Sequence, residues 1–385
     1  MPRHFSPAGR LLVALAVSIA STSFAQSTTQ VLYVVQQNVQ KYTDIVTYNV
    51  DPTTLQATRV GKPFTLSNVF AGVQVIPSPD GHFIYVLAGA NSSDAGISVY
   101  ATGASGVPQG PAIQSLGPAA ITQFVVHPSG KFAYLIDFTT ANQEFFYQLQ
   151  PYMVDQGTGY LTETSQVHKF KPTQYCTPFI AGFYPDGSEL EYDWGCYTPD
   201  NYSSQAFFQE SVDLQTGALG RAAQIFGVSD TDLSSDQIKL APQTINDFYS
   251  TFAPPLTELK IYPLITGPKK PLIVCTALML SACSQAQGFL QDQSGRFLLL
   301  ELPNELMITK IDLSTDTLVD TGYSLPAAAD PNFSPDDSII YDLTFQSPGT
   351  SVQLYGFDAQ TGAVTQGERF EVAKTFVTVF PAQRK

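Results

Sequence analysis

Few side chains in this sequence can carry out nucleophilic or acid–base chemistry. Only four histidines occur among 385 residues. Acyl transfer needs a nucleophile aligned with a base, yet the sequence has no G-x-S-x-G elbow and neither of the glycine-rich phosphate loops. Elbow-type serine hydrolases and phosphate-loop enzymes are therefore excluded.

Three histidines remain if the N-terminal segment that contains His4 is removed. His82 and His127 flank Pro-containing turns, and we interpret both as surface turn residues. His168 lies beside Lys169 in a connecting segment. We interpret His168 as a lone exposed histidine, and a position facing a binding funnel is the alternative.

A repeat supplies the elements that must position any site. Five segments read as strand, tight turn and strand, and the spacing of their turn residues is 49, 57, 108 and 42, with 108 close to two periods. A degenerate copy at 242–244 divides the long gap. Such periods are typical of a four-stranded propeller blade. The turn residues are Gly81, Gly130, Gly187, Gly295 and Asp337.

A second turn follows each repeat and has the form D-x-x-T-G or a close variant. We expect its Asp carboxylate to accept backbone N–H groups and its Gly to adopt the left-handed conformation. The alternative is that these acids bind a metal, but the loops lack a further chelating Glu, so we predict no metal site. The four acids are Asp155, Asp213, Asp312 and Asp358.

The chain ends predict how the repeats are joined. Val31–Val35 reads as a second strand without a first, and 376–381 reads as a first strand without a second. Pairing of these two segments would complete a seventh unit and close a ring without free sheet edges. The predicted fold is therefore an all-β, seven-bladed propeller formed by residues 26–385 as one domain.

Composition supports a folded β protein and excludes several partners. Hydrophobic residues make up 44% and charged residues 14% of the chain, which is too little charge for a disordered or coiled-coil protein. A net charge of −14 would repel phosphate backbones and anionic lipids. We therefore expect no nucleic-acid partner.

Residues 1–25 have the features of a signal peptide. Arg3 and Arg10 precede an apolar run over 11–20, and Ser23 and Ala25 are the small residues that signal peptidase accepts. The run is too short to span a membrane as a helix, and we expect no membrane span. Cleavage after Ala25 would give a secreted or periplasmic protein.

Four cysteines fit such an oxidising compartment. Cys176 and Cys196 lie ten residues on either side of Asp186 in a tight turn, so a hairpin would place them opposite each other. We expect a disulfide there, and Cys275 and Cys283 then pair by default. A four-thiolate metal site is the alternative, but close C-x-x-C pairs are missing.

The S-P-D-G turns followed by Tyr-Val strands, together with the D-x-x-T-G hairpins, resemble the seven-bladed lactonase-like propellers, which include bacterial 6-phosphogluconolactonases and YVTN repeat proteins. The resemblance covers nearly all of residues 31–381. It implies a His before an early inner strand, and an acid and an Arg in a later blade. In this sequence those places hold Thr122, Gly288 and Pro303, and Asp330 occupies the acidic place one blade on.

Propeller geometry places ligands where first strands begin and second strands end. This predicts a funnel with carboxylates, amides and one aromatic platform that suits a polar ligand. The alternatives are a channel mouth that is polar because water fills it, and a tryptophan that packs against the expected disulfide rather than against a sugar. The funnel candidates are Gln36, Asn38, Asp137, Gln174, Asp193, Trp194 and Asp330.

The leading functional hypothesis is a secreted, monomeric, non-catalytic or orphan propeller without a cofactor. It would bind a small polar ligand or a protein on one face of the ring. The alternative hypothesis is a lactone hydrolase with a rearranged site, in which Asp137 or Asp330 positions water.

Overall fold

The computed structural model contains no helix in the residues that it describes, and none of these segments has the length and hydropathy of a membrane-spanning helix. The chain is therefore all-β over these residues. They are 29–37, 42–66, 73–88, 96–117, 120–141, 144–170, 176–183, 187–197, 203–228, 238–241, 248–252, 259–263, 273–275, 288–292, 296–312, 315, 317–326, 331–346, 349–373 and 377–384.

The first sheet joins the two ends of the chain. Its strands are β1 (Thr29–Gln37), β2 (Thr43–Asp51), β3 (Gln56–Leu66) and β29 (Val377–Arg384), in the order β29-β1-β2-β3. The predicted pairing of the C-terminal strand with the N-terminal strand is present, with Phe380 opposite Tyr33 and antiparallel.

The next three sheets follow in chain order. The second sheet contains β4 (Val73–Pro77), β5 (Phe83–Ala88), β6 (Gly96–Thr102) and β7 (Pro108–Leu116). The third contains β8 (Ala120–Val126), β9 (Phe132–Ala141), β10 (Glu144–Val154), β11 (Leu161–Glu163) and β12 (His168–Phe170). The fourth contains β13 (Cys176–Phe183), β14 (Glu189–Tyr197), β15 (Ser203–Ser211) and β16 (Ala223–Val228).

The fifth sheet has eight strands because two four-stranded arrays share one short parallel pair, β20 with β24. The first array contains β17 (Ile238–Ala241), β18 (Phe248–Phe252), β19 (Leu259–Pro263) and β20 (Ile273–Cys275). The second contains β21 (Gly288–Gln291), β22 (Phe297–Glu301), β23 (Glu305–Asp312) and β24 (Thr317–Pro326). The degenerate repeat predicted at 242–244 lies outside the described residues, between β17 and β18.

The sixth sheet contains β25 (Pro331–Phe333), β26 (Ile339–Gln346), β27 (Gly349–Phe357) and β28 (Val364–Ala373). All pairs within this sheet are antiparallel, as they are in the first four sheets. Within each of these sheets most consecutive strands pair as antiparallel hairpins, which is the connection that short turns permit.

The sheets pack face to face because their second strands are apolar on both sides. In β1, Val31, Tyr33 and Val35 pack against the second sheet, whereas Leu32 and Val34 pack against the sixth sheet. Alternate residues of a strand face opposite sides of a sheet, so a strand between two neighbours needs an unbroken apolar run. The first sheet therefore lies between the second and the sixth.

Three of the four predicted second turns have the predicted geometry, and most of the turn that follows Asp312 lies outside the described residues. The Asp213 carboxylate accepts the backbone N–H groups of Gln215 and Thr216 at 2.8 and 3.1 Å, and Gly217 has a φ of 70°. The turn that begins at Asp155 has the same arrangement, and the Asp358 carboxylate accepts the N–H of Gln360 and the hydroxyl of Thr361. The left-handed backbone lets Gly217 approach the ring of Phe132 in the third sheet, where an added Cβ would lie 2.4 Å from a ring carbon.

Polar side chains also join neighbouring sheets, and the sequence gives no sign of these contacts. Gln114 of the second sheet exchanges two hydrogen bonds with the backbone of Leu161 in the third, at 2.8 and 2.7 Å. Glu368 of the sixth sheet accepts the backbone N–H of Ala57 in the first at 2.7 Å. Leu161 and Ala57 lie at the same place in the repeat, six residues after the turn Asp, so the two contacts are equivalent.

Candidate functional site

Two of the predicted funnel residues lie at equivalent places in second strands. Gln36 follows Tyr33 by three residues in β1, and Asp137 follows Tyr134 by three residues in β9. Both tyrosine hydroxyls donate to a glycine carbonyl in the adjacent sheet, at 2.8 and 2.9 Å. These bonds fix the two strands in the same register, so Gln36 and Asp137 lie in the halves of the two strands that are remote from the turns. We call this side of the molecule the strand-end face.

Asp137 has an incompletely satisfied carboxylate. Gln148, directly opposite on β10, donates its side-chain amide to Oδ2 at 2.9 Å. Oδ1 is buried and has no hydrogen-bond partner among the described residues. Burial raises the pKa of Asp137, the bond from Gln148 opposes that rise, and the charge of Glu163 adds to it. Such a carboxylate can accept a hydrogen bond from a ligand or hold a proton.

Gln36 provides a second open acceptor at the same place in the first sheet. Its side-chain carbonyl oxygen is buried and has no partner within the described segments. Asp44 lies directly opposite on β2, and its carboxylate accepts the hydroxyl of Thr65 at 2.6 Å. The first and third sheets therefore both place an acidic residue and an amide side by side at the strand-end face.

The remaining funnel candidates have no described side chains. Asp193 and Trp194 lie in β14, where their backbones pair with Phe179 and Pro178. Asn38, Gln174 and Asp330 lie outside the described residues. The grouping of all seven candidates around one funnel therefore stays a prediction.

The backbone register supports the expected first disulfide without describing the bond. Cys176 is directly opposite Cys196 in the β13–β14 hairpin, as the turn spacing predicts. Cys275 lies in β20, opposite Leu318 of β24. Cys283 lies outside the described residues, and both disulfides stay predictions.

Asp342 is a buried acid in the middle of a second strand that the sequence argument missed. It is 4% exposed and directly follows Tyr341 in β26, as Asp193 directly follows Tyr192 in β14. The hydroxyl of Thr344 donates to its Oδ2 at 3.3 Å. The repeated Tyr-Asp pair in second strands was the signal that could have identified it.

The interpretation of His127 as a surface turn residue is wrong. Its side chain is 1% exposed, with Nε2 2.9 Å from the carbonyl oxygen of Gly187 and Nδ1 2.7 Å from the hydroxyl of Ser129. The imidazole therefore joins the turns of the third and fourth sheets. His82 does lie at the surface, with Nδ1 3.1 Å from the carboxylate of Asp80.

His168 is not a lone exposed histidine. Its Nδ1 lies 3.0 Å from Oε2 of Glu210, and Tyr192 donates its hydroxyl to Oε1 of the same carboxylate at 2.9 Å. Glu210 is fully buried, and burial raises its pKa, whereas the adjacent imidazole of His168 and the hydrogen bond from Tyr192 oppose the rise. No local sequence pattern predicts this contact between β12 and β15.

The surroundings of His168 show that this cluster is structural. The carbonyl oxygen of the Gln166 side chain accepts the N–H of Leu219 at 3.0 Å, and its amide nitrogen donates to the carbonyl oxygen of Leu219 at 2.6 Å. That orientation directs an amide hydrogen at Nε2 of His168, 3.1 Å away. Nε2 is then the acceptor, so Nδ1–H donates to Glu210. Both ring nitrogens are used within the fold.

No three His, Cys, Asp or Glu side chains in the described part of the chain are grouped closely enough to hold a metal ion. The two acidic and amide pairs at the strand-end face therefore stand as the candidate site. The side-chain oxygens of Asp137 and Gln36 in these pairs are buried and can accept hydrogen bonds from a ligand.

Comparison with solved structures identifies the architecture. No family model matches the chain, and neither does any curated protein. The chain is similar to a proposed 6-phosphogluconolactonase from Bacteroides fragilis, with 15% identity, a TM-score of 0.57, and coverage of 93% of this chain and 99% of that one. It is also similar to a protein from Lactobacillus plantarum, with 13% identity, a TM-score of 0.52, and coverage of 92% and 99%.

These likenesses define the class of the fold. The antiparallel sheets, packed face to face and joined by tight turns, form a β-propeller. Its fold is similar to that of the proposed 6-phosphogluconolactonase from Bacteroides fragilis. At this level of identity the likeness concerns the fold alone, because one propeller architecture carries many unrelated activities.

Proposed function

We propose that the chain is a seven-bladed lactonase-like propeller that binds a small polar ligand at its strand-end face. The count of seven is supported by the first four sheets, the two arrays of the fifth sheet, and the sixth sheet. Closure of the ring is supported by the pairing of β29 with β1 and by the packing of the first sheet against the sixth.

One observation carries the proposed binding function, namely the open Oδ1 atom of Asp137. A buried acceptor without a partner costs about 1–3 kcal/mol. This cost, together with the raised pKa of the carboxyl group, is expected where a site is kept for a ligand. The side-chain oxygen of Gln36 adds a second open acceptor, so the ligand we propose carries hydroxyl or amine donors.

The proposal includes a non-catalytic role and an extracytoplasmic location. Residues 1–25 would direct export and then be removed, which leaves the mature chain outside the cytoplasm. The disulfide of Cys176 with Cys196 would form there. The amide of Gln148 is the only described partner of the Asp137 side chain from another residue, and no cation is among the groups that shift its pKa. A developing oxyanion would therefore lack a described positive partner there.

Lactone hydrolysis is the alternative function, and the raised pKa of Asp137 favours it. A carboxyl group with a raised pKa is suited to general acid–base catalysis. In this alternative, Asp137 or Asp330 would position the attacking water.

The test is a panel of neutral sugar lactones and the corresponding polyols, with hydrolysis and binding measured separately. We expect polyol binding without turnover, and we expect Asp137→Ala to weaken that binding at least fivefold. Asp358→Ala is the matched control, because this exposed acid lies in a turn at the opposite end of its sheet, and it should leave binding unchanged.

Turnover that is abolished by Asp137→Ala or Asp330→Ala would replace the binding proposal with the hydrolase. Equal polyol binding by the wild type and Asp137→Ala would remove the strand-end face as the site.

A further inference from the structure

A cavity of about 110 Å³ lies between the second and third sheets at their turn ends. Pro79 and Asp80, from the β4–β5 turn, form one wall, and Pro128 and Ser129, from the β8–β9 turn, form the opposite wall. The exposed Ser129 lies at the rim, and the buried Tyr85 lies at the deep end. This cavity is remote from the strand-end face, because it lies among the turns at the other end of the same sheets.

Tyr85 differs from its counterparts in the neighbouring sheets. Tyr33 and Tyr134 occupy the same place in their second strands, and their hydroxyls donate to Gly106 and Gly217 of the next sheet. The hydroxyl of Tyr85 is buried and has no partner in the described part of the chain. It lines the cavity instead. A buried hydroxyl is rarely left unsatisfied, so its natural partner is a molecule in the cavity.

The lining of the cavity includes the carboxylate of Asp80, whose Oδ2 lies 3.1 Å from Nδ1 of the surface residue His82. Burial alone would raise the pKa of Asp80, but hydrogen bonds from the Ser78 hydroxyl and the His82 backbone outweigh it and hold the pKa below its ordinary value. Asp80 is therefore ionised at neutral pH. Burial and the charge of Asp80 both raise the pKa of Tyr85, which keeps its hydroxyl protonated.

The apolar part of the lining suits the stem of an organic molecule. Pro79 and Pro128 contribute ring carbons, and Phe83 and Val154 contribute buried apolar side chains. An aromatic ring beside a carboxylate is a favourable setting for an ammonium group. The volume limits the occupant to a few non-hydrogen atoms.

We propose that this cavity is a binding site for a small organic ammonium compound. The ammonium group donates to the Tyr85 hydroxyl and is attracted by the carboxylate of Asp80, and the carbon stem lies between Pro79 and Pro128. The exposed rim admits the ligand without opening the sheets. This site is independent of the polar-ligand site proposed above.

Three probes of similar size test the charge preference, namely ethanolamine, ethylene glycol and glycolate. Their dissociation constants for the mature protein would be measured at pH 7 by protein-observed NMR titration. We expect ethanolamine to bind at least fivefold more tightly than ethylene glycol, and glycolate to show no saturable binding. If ethanolamine bound no more tightly than glycolate, the proposal would be wrong.

Tyr85→Phe, with Tyr134→Phe as its matched control, tests the location of the site. Tyr85→Phe should weaken ethanolamine binding at least fivefold and should lower the thermal midpoint less than the control does, because Tyr134 loses a hydrogen bond within the protein. Tyr134→Phe should leave ethanolamine binding unchanged. Undiminished binding by Tyr85→Phe would overturn the proposal.

Asp80→Asn provides a second variant that does not depend on Tyr85→Phe being folded. The amide oxygen of Asn can still accept the Ser78 hydroxyl, so the turn keeps this bond while the charge is lost. The preference for ethanolamine over ethylene glycol should fall below twofold. A preserved preference would mean that the charge of Asp80 plays no part, which would overturn the site as proposed.

Discussion

The two ends of the sheets use aspartate in opposite ways. At the turn end, Asp155 and Asp213 are exposed, and each carboxylate accepts two backbone N–H groups that lower its pKa. At the strand-end face, Asp137 accepts a bond from Gln148 on Oδ2, has no described partner for Oδ1, and has a raised pKa. The carboxylates of Asp155 and Asp213 hold the backbone of their turns, whereas Asp137 keeps an open acceptor for a ligand.

This difference distinguishes Asp137 from the turn acids Asp155 and Asp213 in a chain with a net charge of −14. Counting carboxylates would not do so, because both ends of the sheets are acidic. His168 and Glu210 are structural by the same reasoning. Gln166 contacts Nε2 of His168, and Tyr192 donates to Oε1 of Glu210. The comparison therefore directs attention to Asp137 rather than to the buried histidine cluster.

The largest expected effect comes from ending the chain at Lys374, which removes β29. Without β29, β1 loses its partner over the register from Thr29 to Gln36 and becomes a free edge. If the sheets form one closed ring, removal of β29 should destabilise the whole protein. We expect aggregation, or a thermal midpoint that is lower by more than about 10 °C. Thermal unfolding with light scattering measures this.

The matched control for truncation keeps the whole chain and replaces a single exposed residue of an outer strand, as in Glu371→Ala. It should change the midpoint by less than about 2 °C, as exposed substitutions usually do. A soluble, monomeric truncated protein with an unchanged midpoint would rule out closure by β29.

The next effect tests the turn end directly. Gly217→Ala should cost about 3 kcal/mol, because the new Cβ would lie 2.4 Å from the Phe132 ring and the φ of 70° is unfavourable for Ala. Gly322→Ala is the matched control, since Gly322 has a φ of 75° but nothing within 4 Å of the added Cβ. It should cost only about 1 kcal/mol of backbone strain. Urea unfolding of both variants gives the two values, and equal losses would show that the contact with the third sheet contributes nothing.

The sequence predicts much of the fold because its signals are local. The turn at Asp213 is specified by five consecutive residues, and the place of Cys176 opposite Cys196 follows from their distance to one turn. The pairing of β29 with β1 was predictable because each end of the chain carries an incomplete repeat.

The candidate site was less predictable because its properties depend on contacts between distant residues. His127 resembles a turn residue in sequence. In the structure its side chain is buried and contacts the carbonyl oxygen of Gly187 in the next sheet. The turn that begins at Asp51 was missed because Leu55, with a φ of 53°, occupies the place where the turns at Asp155, Asp213 and Asp358 have Gly. Whether Asp137 keeps an open oxygen depends on its burial and on Gln148, and neither appears in a linear motif.

The smallest expected effect concerns the sign of the contribution of Asp137 to stability. Its pKa is raised in the folded state, so the carboxyl group binds its proton more tightly when folded than when unfolded. Its contribution is therefore present below the ordinary pKa and is lost as the pH rises through the folded pKa. Asp137→Asn cannot ionise, so this variant avoids the loss of stability that ionisation causes. At pH 7 the variant should unfold at a slightly higher urea concentration than the wild type, a gain within about 1 kcal/mol. The difference between the two proteins should vanish near pH 3.

Asp213→Asn should behave in the opposite way. The pKa of Asp213 is lowered in the folded state by the N–H groups of Gln215 and Thr216, so its contribution is present above the ordinary pKa and is lost as the pH falls through the folded pKa. This variant should be less stable than the wild type at pH 7, and the difference should shrink in acid. Urea midpoints of both variants between pH 3 and pH 7 measure the two signs. If Asp137→Asn were destabilised at pH 7 as Asp213→Asn is, Asp137 would belong with the structural acids, and the strand-end face would lose the observation that favours it.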